Sequence, residues 1–94
     1  MLLDKAKEIS ELLKVLGNDN RLIIVCLLTE KPLTVSEIHE RLNNVTQSAL
    51  SQHLAILKAH RIVDSNKCGL NITYSIRDRG IIKTLETLKA NYCD

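Results

Sequence analysis

Residues 44–77 constrain this chain most, because a helix-forming run with a neutral polar face passes straight into two strand-like runs joined at Cys68-Gly69. Within Thr46-Gln47-Ser48-Ala49-Leu50-Ser51-Gln52-His53-Leu54-Ala55-Ile56-Leu57-Lys58-Ala59, the residues Leu50, Leu54 and Leu57 recur at the i, i+4, i+7 spacing of one buried helical face. Gln47, Ser48, Ser51 and Gln52 fall on the other side. An exposed helix is usually coated with Glu and Lys. Short hydrogen-bonding side chains without negative charge are what a helix lying in a DNA groove requires. A neutral solvent face is the plain alternative, and the hairpin that follows weighs against it.

The flanking segments organise around this stretch. Leu3, Ala6, Ile9, Leu13 and Leu16 make a helical stripe that stops at Gly17, a C-terminal cap. Asn18 then offers an N-cap, with Asp19 in the first turn, where the helix dipole favours an acid. This second helix, apolar on nearly every side to about Glu30, is expected to be the most buried element, and Lys31-Pro32 ends it. Thr34 and Glu37 form a capping box for a third helix, with Leu33 and Ile38 as its hydrophobic staple and Val35, Ile38 and Leu42 on its inner face. Asn43-Asn44 makes a turn and Thr46 caps the fourth helix, so the third and fourth read as a helix-turn-helix.

Ile62 and Val63 begin a strand, Gly69 suits a hairpin turn, and Ile72, Tyr74 and Ile76 alternate with Asn71, Thr73, Ser75 and Arg77 in a half-buried second strand. Ile81, Ile82, Leu85, Leu88 and Tyr92 mark a closing amphipathic helix. The order ααααββα, mainly α with a small β part (α+β), predicts one winged helix-turn-helix domain over residues 1–94.

Composition fits one small domain whose core a partner subunit helps to complete. Ninety-four residues lie near the lower limit for a self-sufficient core, and Tyr74 and Tyr92 are the only aromatics. The two terminal amphipathic helices therefore predict a homodimer whose seam holds Leu3, Ile9, Leu13, Ile82, Leu85 and Leu88. The longest apolar run, residues 22–28, is seven long, far short of the roughly 18 a membrane span needs. Asp4, Lys5, Lys7 and Glu8 interrupt any signal-peptide pattern, so a cytoplasmic protein without membrane contact is expected. Net charge is +2, but residues 46–83 hold six basic side chains against two acidic ones. That asymmetry suits phosphate contact in the second half, with Lys58, Arg61 and Lys67 as the expected contacts, Thr46, Gln47, Ser48, Ser51 and Gln52 as the DNA-facing residues of the helix and His53 at the groove edge. A glutamine such as Gln47 can pair bidentately with adenine, so an A·T-containing operator is expected.

With these residues in place the chain resembles the ArsR/SmtB family of dimeric bacterial repressors over residues 12–92. The resemblance rests on Leu13-Lys14-Val15-Leu16-Gly17-Asn18-Asp19-Asn20-Arg21-Leu22, on Ser51-Gln52-His53-Leu54 after Thr46-Gln47-Ser48, and on Tyr74-Ser75-Ile76. It implies a homodimer joined through the first and last helices, each protomer placing one recognition helix in a major groove of an inverted repeat in double-stranded DNA. Where related wings often carry Arg, this chain has Leu70. It also departs from the family's metal sites. Thr34 and Ser36 occupy the positions of a Cys-x-Cys pair, and residues 78–92 hold Asp78 and Glu86 but no His. Neither zinc nor arsenite is expected at these sites, and no cofactor is expected.

The resemblance is instead to a subgroup responding to sulfide, persulfide or oxidants. Cys26 and Cys93, 67 positions apart, match its two cysteines. In that subgroup an oxidant or polysulfide links the thiols and relieves repression. The plain alternative for Cys26 is a small buried hydrophobe, and Cys68 reads as incidental. Other readings are a metal or metalloid sensor using these cysteines, a thiol or persulfide-handling enzyme, and a protein-binding winged helix. The enzyme is disfavoured because there is no Cys-x-x-Cys and no Gly-rich phosphate loop.

Overall fold

A computed structural model describes residues 2–92. Eight elements follow one another: α1 (Leu2–Leu16), α2 (Asp19–Glu30), β1 (Leu33–Thr34), α3 (Val35–Arg41), α4 (Gln47–Ala59), β2 (Val63–Cys68), β3 (Asn71–Ile76) and α5 (Arg79–Tyr92). This is the winged helix-turn-helix expected from the sequence, with one addition. The two-residue β1 pairs antiparallel with β3, Leu33 opposite Tyr74 and Thr34 opposite Thr73, giving a sheet in the order β1-β3-β2. Two residues carry no periodicity, so only the partner strand makes them a strand. The same pairing puts β3 in the middle of the sheet. Thr73 and Ser75 are half-covered along with Ile72, Tyr74 and Ile76, and the expected alternation is lost.

Local signals set the helix starts. The Asn18 Oδ1 accepts from the backbone N–H groups of Asn20 and Arg21 at 3.0 and 3.1 Å. The capping box closes as expected: the Glu37 N–H donates to Thr34 Oγ1 at 3.2 Å and the Thr34 N–H to Glu37 Oε1 at 2.9 Å. Leu33 and Ile38, its staple, are both buried. These hydrogen bonds favour the charged carboxylate and hold Glu37 below the usual Glu range. Thr46 Oγ1 accepts from the Ala49 N–H at 3.0 Å and starts α4.

Helix ends differ more from expectation. Gly17 stays out of the left-handed region, so it is not an αL cap. A Cβ there would lie 3.1 Å from the Leu13 carbonyl oxygen, a tight contact that favours glycine. The left-handed cap occurs after α4, at Arg61, with φ of 59°. The Arg61 N–H donates to the Lys58 carbonyl and the Ile62 N–H to the Leu57 carbonyl, both at 3.0 Å, which is the Schellman pattern. Gly69 (φ 62°) followed by Leu70 outside the left-handed region closes the β2–β3 hairpin in the manner of a type II′ turn.

The core is aliphatic. Ile24, Val25 and Leu28 of α2 meet Ile38, Leu50, Leu54, Leu57, Ile62 and Val63 in one buried cluster. α2 is not buried all round, however: Leu22 and Ile23 are 36% and 41% exposed. Leu22 joins Leu12, Leu13 and Leu16 of α1 and Ile81, Leu85 and Leu88 of α5 around an open apolar groove of about 450 Å³. Leu85, expected in a seam between protomers, is 5% exposed and belongs to the protomer's own core, whereas Leu3, Ile9, Leu13 and Leu88 stay exposed. Among the described residues no helix is long and apolar enough to cross a membrane.

Candidate nucleic-acid interface

The outer face of α4 is the centre of the site. Leu50, Leu54 and Leu57 fix its rotation by burying one stripe completely, which leaves Gln47, Ser48, Ser51 and Gln52 exposed on the other side. Thr46 is exposed too, but its oxygen is committed to the Ala49 cap. His39 steadies the preceding turn: its Nε2 lies 3.0 Å from the Val45 carbonyl oxygen. A carbonyl only accepts, so this ring nitrogen carries a proton.

Gln47 and Ser51 line a shallow cleft with Thr34 and Ser36 from the start of α3 and with Leu70 and Asn71 from the wing tip. Helix head and wing tip therefore face the same space. Leu70 is 100% exposed, so the tip is apolar where a cation would have been the simpler surface residue. Asn71, also exposed, adds an amide beside Gln47 that sequence reasoning did not single out. Its signal was only its place after the Gly69-Leu70 turn, and the cleft joins residues about 24 positions apart in the sequence.

The basic residues separate. Lys67 lies opposite Ile72, so the two share a sheet face, and Ile72 lines the cleft. Lys58 sits eleven residues along α4 from Gln47, about 16 Å at 1.5 Å per residue. Its Nζ donates to Ser65 Oγ at 2.7 Å, tying the end of α4 to β2. Arg61 is exposed at that same far end, and Arg77 pairs with Asp64 at 3.5 Å across the base of the hairpin. None of the three expected phosphate contacts lines the cleft, and Lys67 comes nearest to it, on the sheet face it shares with Ile72.

His53, expected at the groove edge, does not lie in the exposed row of α4. It is half-buried and turned toward α2, its Nδ1 3.4 Å from Nη1 of Arg21. A guanidinium only donates, so Nδ1 accepts and the neutral ring carries its proton on Nε2. Burial, and then the Arg21 charge, push His53 below the ordinary imidazole value. Arg21 was not among the expected site residues.

Cys26 is half-buried on α2 and packs against the core, one turn beyond Leu22 on the same helix face. Cys68 is exposed in the wing. Cys93 lies outside the described residues. Among the described residues, no group of three or more His, Cys, Asp or Glu side chains could hold a metal ion.

Comparison with known proteins agrees with this geometry. Residues 18–65 match the family described as bacterial regulatory protein, arsR family. The chain is 34% identical to the HTH-type transcriptional regulator YgaV of Escherichia coli K12 over 94% of its own length and 89% of that protein. It is 38% identical to the transcriptional activator HlyU of Vibrio cholerae over 87% of its length and 75% of that protein. The structure of reduced V. cholerae HlyU matches with a TM-score of 0.90 at 33% identity, covering 99% of this chain and 97% of that one. The repressor BigR of Xylella fastidiosa matches at 0.91 with 28% identity, covering 99% and 94%. A helix-turn-helix with its wing, matched over nearly its full length by such regulators, belongs to the arsR family of bacterial regulatory proteins, DNA-binding transcription regulators rather than enzymes.

Proposed function

We propose that this regulator represses an inverted-repeat operator as a homodimer and releases it when Cys26 and Cys93 become linked. The observation that carries the DNA-reading part is the exposed, uncharged row Gln47, Ser48, Ser51 and Gln52 on a helix whose opposite stripe is wholly buried. Gln47 and Ser51 read bases, Asn71 extends that face from the wing, and Lys67 anchors phosphate. Lys58 and Arg61 contribute weaker contacts from the far end of α4. Gln47→Ala should weaken operator binding by about 1–3 kcal/mol and relax the preferred sequence. Unchanged affinity in a titration of labelled operator would remove Gln47 from the reading set.

Dimerisation through α1 and α5 is supported by the apolar groove, whose walls Leu13, Leu22 and Leu88 remain open to water in the single chain. A two-fold dimer also matches an inverted repeat.

The thiol switch is supported by the position of Cys26 on the α2 face that carries Leu22 into the groove beside α5. The matched V. cholerae HlyU structure is that of the reduced protein. An oxidant takes two electrons and two protons from the two thiols and leaves a disulfide, which needs Cα atoms within about 7 Å. Polysulfide instead gives each thiol one sulfur atom, and the two persulfides condense to a trisulfide with loss of hydrogen sulfide. Either link ties α2 to the chain end following α5. Mass spectrometry after separate exposure to persulfide, peroxide and zinc, paired with operator binding, tests this. Full inducibility of both Cys26→Ser and Cys93→Ser would return Cys26 to a packing role. Expression from the operator promoter should rise when the regulator is deleted. A fall would make it an activator, as V. cholerae HlyU is.

A further inference from the structure

We infer that Arg21 and His53 form a clasp that positions the recognition helix against the α1–α2 junction, so that the orientation of α4 follows that of α1 and α2. This rests on the reading of α4 as the DNA-contacting helix. Arg21 reaches two elements at once. Its Nε donates to the Val15 carbonyl oxygen at 2.7 Å, and its Nη1 to His53 Nδ1, 32 positions away, at 3.4 Å. Val15 is in the last turn of α1, whose carbonyls have no helical partner, so the first bond serves an acceptor the helix leaves free. The Arg21 backbone N–H is held in turn by the Asn18 cap. The planar guanidinium donates along two fixed directions from separate nitrogens, whereas lysine would have to reach both acceptors from a single one.

The clasp joins the helix bearing Leu13 and the helix bearing Leu22 and Cys26 to the helix bearing Gln47. A movement of α1 against α2 therefore pulls on α4 midway along its length. It also makes the DNA-contacting helix sensitive to the protonation state of His53. Of the charged groups on the elements packed against α4 (Asp19, Arg21 and Glu30 on α2, Asp64 and Lys67 on β2), and of Lys58 on α4 itself, it is Arg21 whose field bears on His53. Protonation removes the Nδ1 lone pair and sets two cations face to face, so the clasp opens as pH falls. A histidine that contacted phosphate directly would do the opposite, binding DNA more tightly when protonated.

That difference in sign is the test. The probe is the operator fragment recovered from genomic DNA by the wild-type protein, titrated at constant ionic strength between about pH 5 and pH 8. Wild type should lose affinity on acidification relative to His53→Gln, which keeps an acceptor for Arg21 and retains His39 and His60. At neutral pH, His53→Gln should bind within about 3-fold of wild type. Arg21→Lys and His53→Ala should each bind roughly 5–20-fold more weakly, with the double variant no weaker than the weaker single. Thermal melts identify any variant that fails to fold, and the conservative His53→Gln comparison stands without the others. Affinity that rises on acidification relative to His53→Gln would overturn the clasp, as would additive losses in the double variant. Wild type binding no fragment at any pH would instead overturn the reading of α4, and the clasp with it.

Discussion

The outer face of α4 and the face shared by α1, α2 and α5 are both open to water, yet they are built in opposite ways. On α4 the exposed side chains are short, polar and uncharged, and the helix beneath them is fixed by the Thr46 cap, three buried leucines and the Arg61 turn. On the other face Leu13, Leu22 and Leu88 stay exposed around a groove with almost no polar lining, and Leu3 and Ile9 are exposed elsewhere on α1. The first face is complete without further burial, because its groups are satisfied by water until nucleic acid replaces it. The second leaves apolar area open in the single chain, the kind of surface that marks an interaction site. A face fixed by its own helix and a face left incomplete are what the proposed operator-binding dimer needs.

Breaking the apolar face should have the largest effect. Leu88→Glu places a charge in the groove at a residue already 47% exposed, so the protomer should still fold. Sedimentation should then show a monomer at micromolar concentration, with operator affinity down on the order of 100-fold, about 2.7 kcal/mol. A dimer that persists would move the seam elsewhere.

The polar face can be sharpened by salt dependence. Lys67→Ala should reduce the slope of log affinity against log salt by about 1, whereas Lys58→Ala and Arg61→Ala should change it less. Equal reductions for all three would mean that DNA reaches the far end of α4.

Smaller effects test the scaffold holding that face. Thr34→Ala removes the oxygen capping α3 and should cost about 1 kcal/mol in denaturant unfolding. Glu37 is held below its ordinary value by the same box, so its contribution is full above the unfolded-state value and lost as pH falls through the lower folded one. Unfolding followed across that acid range should show the loss in wild type and a flatter profile in Thr34→Ala. Smallest is Arg61→Gly. A non-Gly residue in the left-handed region costs about 1–2 kcal/mol, and glycine's extra unfolded-state entropy offsets about 0.5–1. A net gain of roughly 0.5 kcal/mol in unfolding free energy is expected from these terms. A loss would show that the Arg61 side chain itself stabilises the turn.

The signals legible in the sequence are those confined to one turn. Asn18, the Thr34–Glu37 box, Thr46 and the Leu50–Leu54–Leu57 stripe each involve groups within four residues or one helical period, so local geometry alone sets them. Gly69 belongs with them, since a two-residue hairpin turn needs positive φ at its first position. The glycine after α1 marks the helix end as expected, but through close approach to the Leu13 carbonyl rather than a positive φ.

What the sequence determined by itself was the order of elements, their caps, the rotation of α4 and the uncharged row it presents, because chain connectivity already brings those atoms together. The tertiary structure alone decided that Leu33–Thr34 is a strand against Tyr74 and Thr73, that Leu85 is core while Leu88 is surface, and that Lys67 shares a sheet face with Ile72 of the cleft while Lys58 and Arg61 sit at the far end of α4. It alone set His53 beside Arg21. Each of these depends on which distant segment arrives alongside, and that is settled only when the apolar stripes of all the elements are buried together.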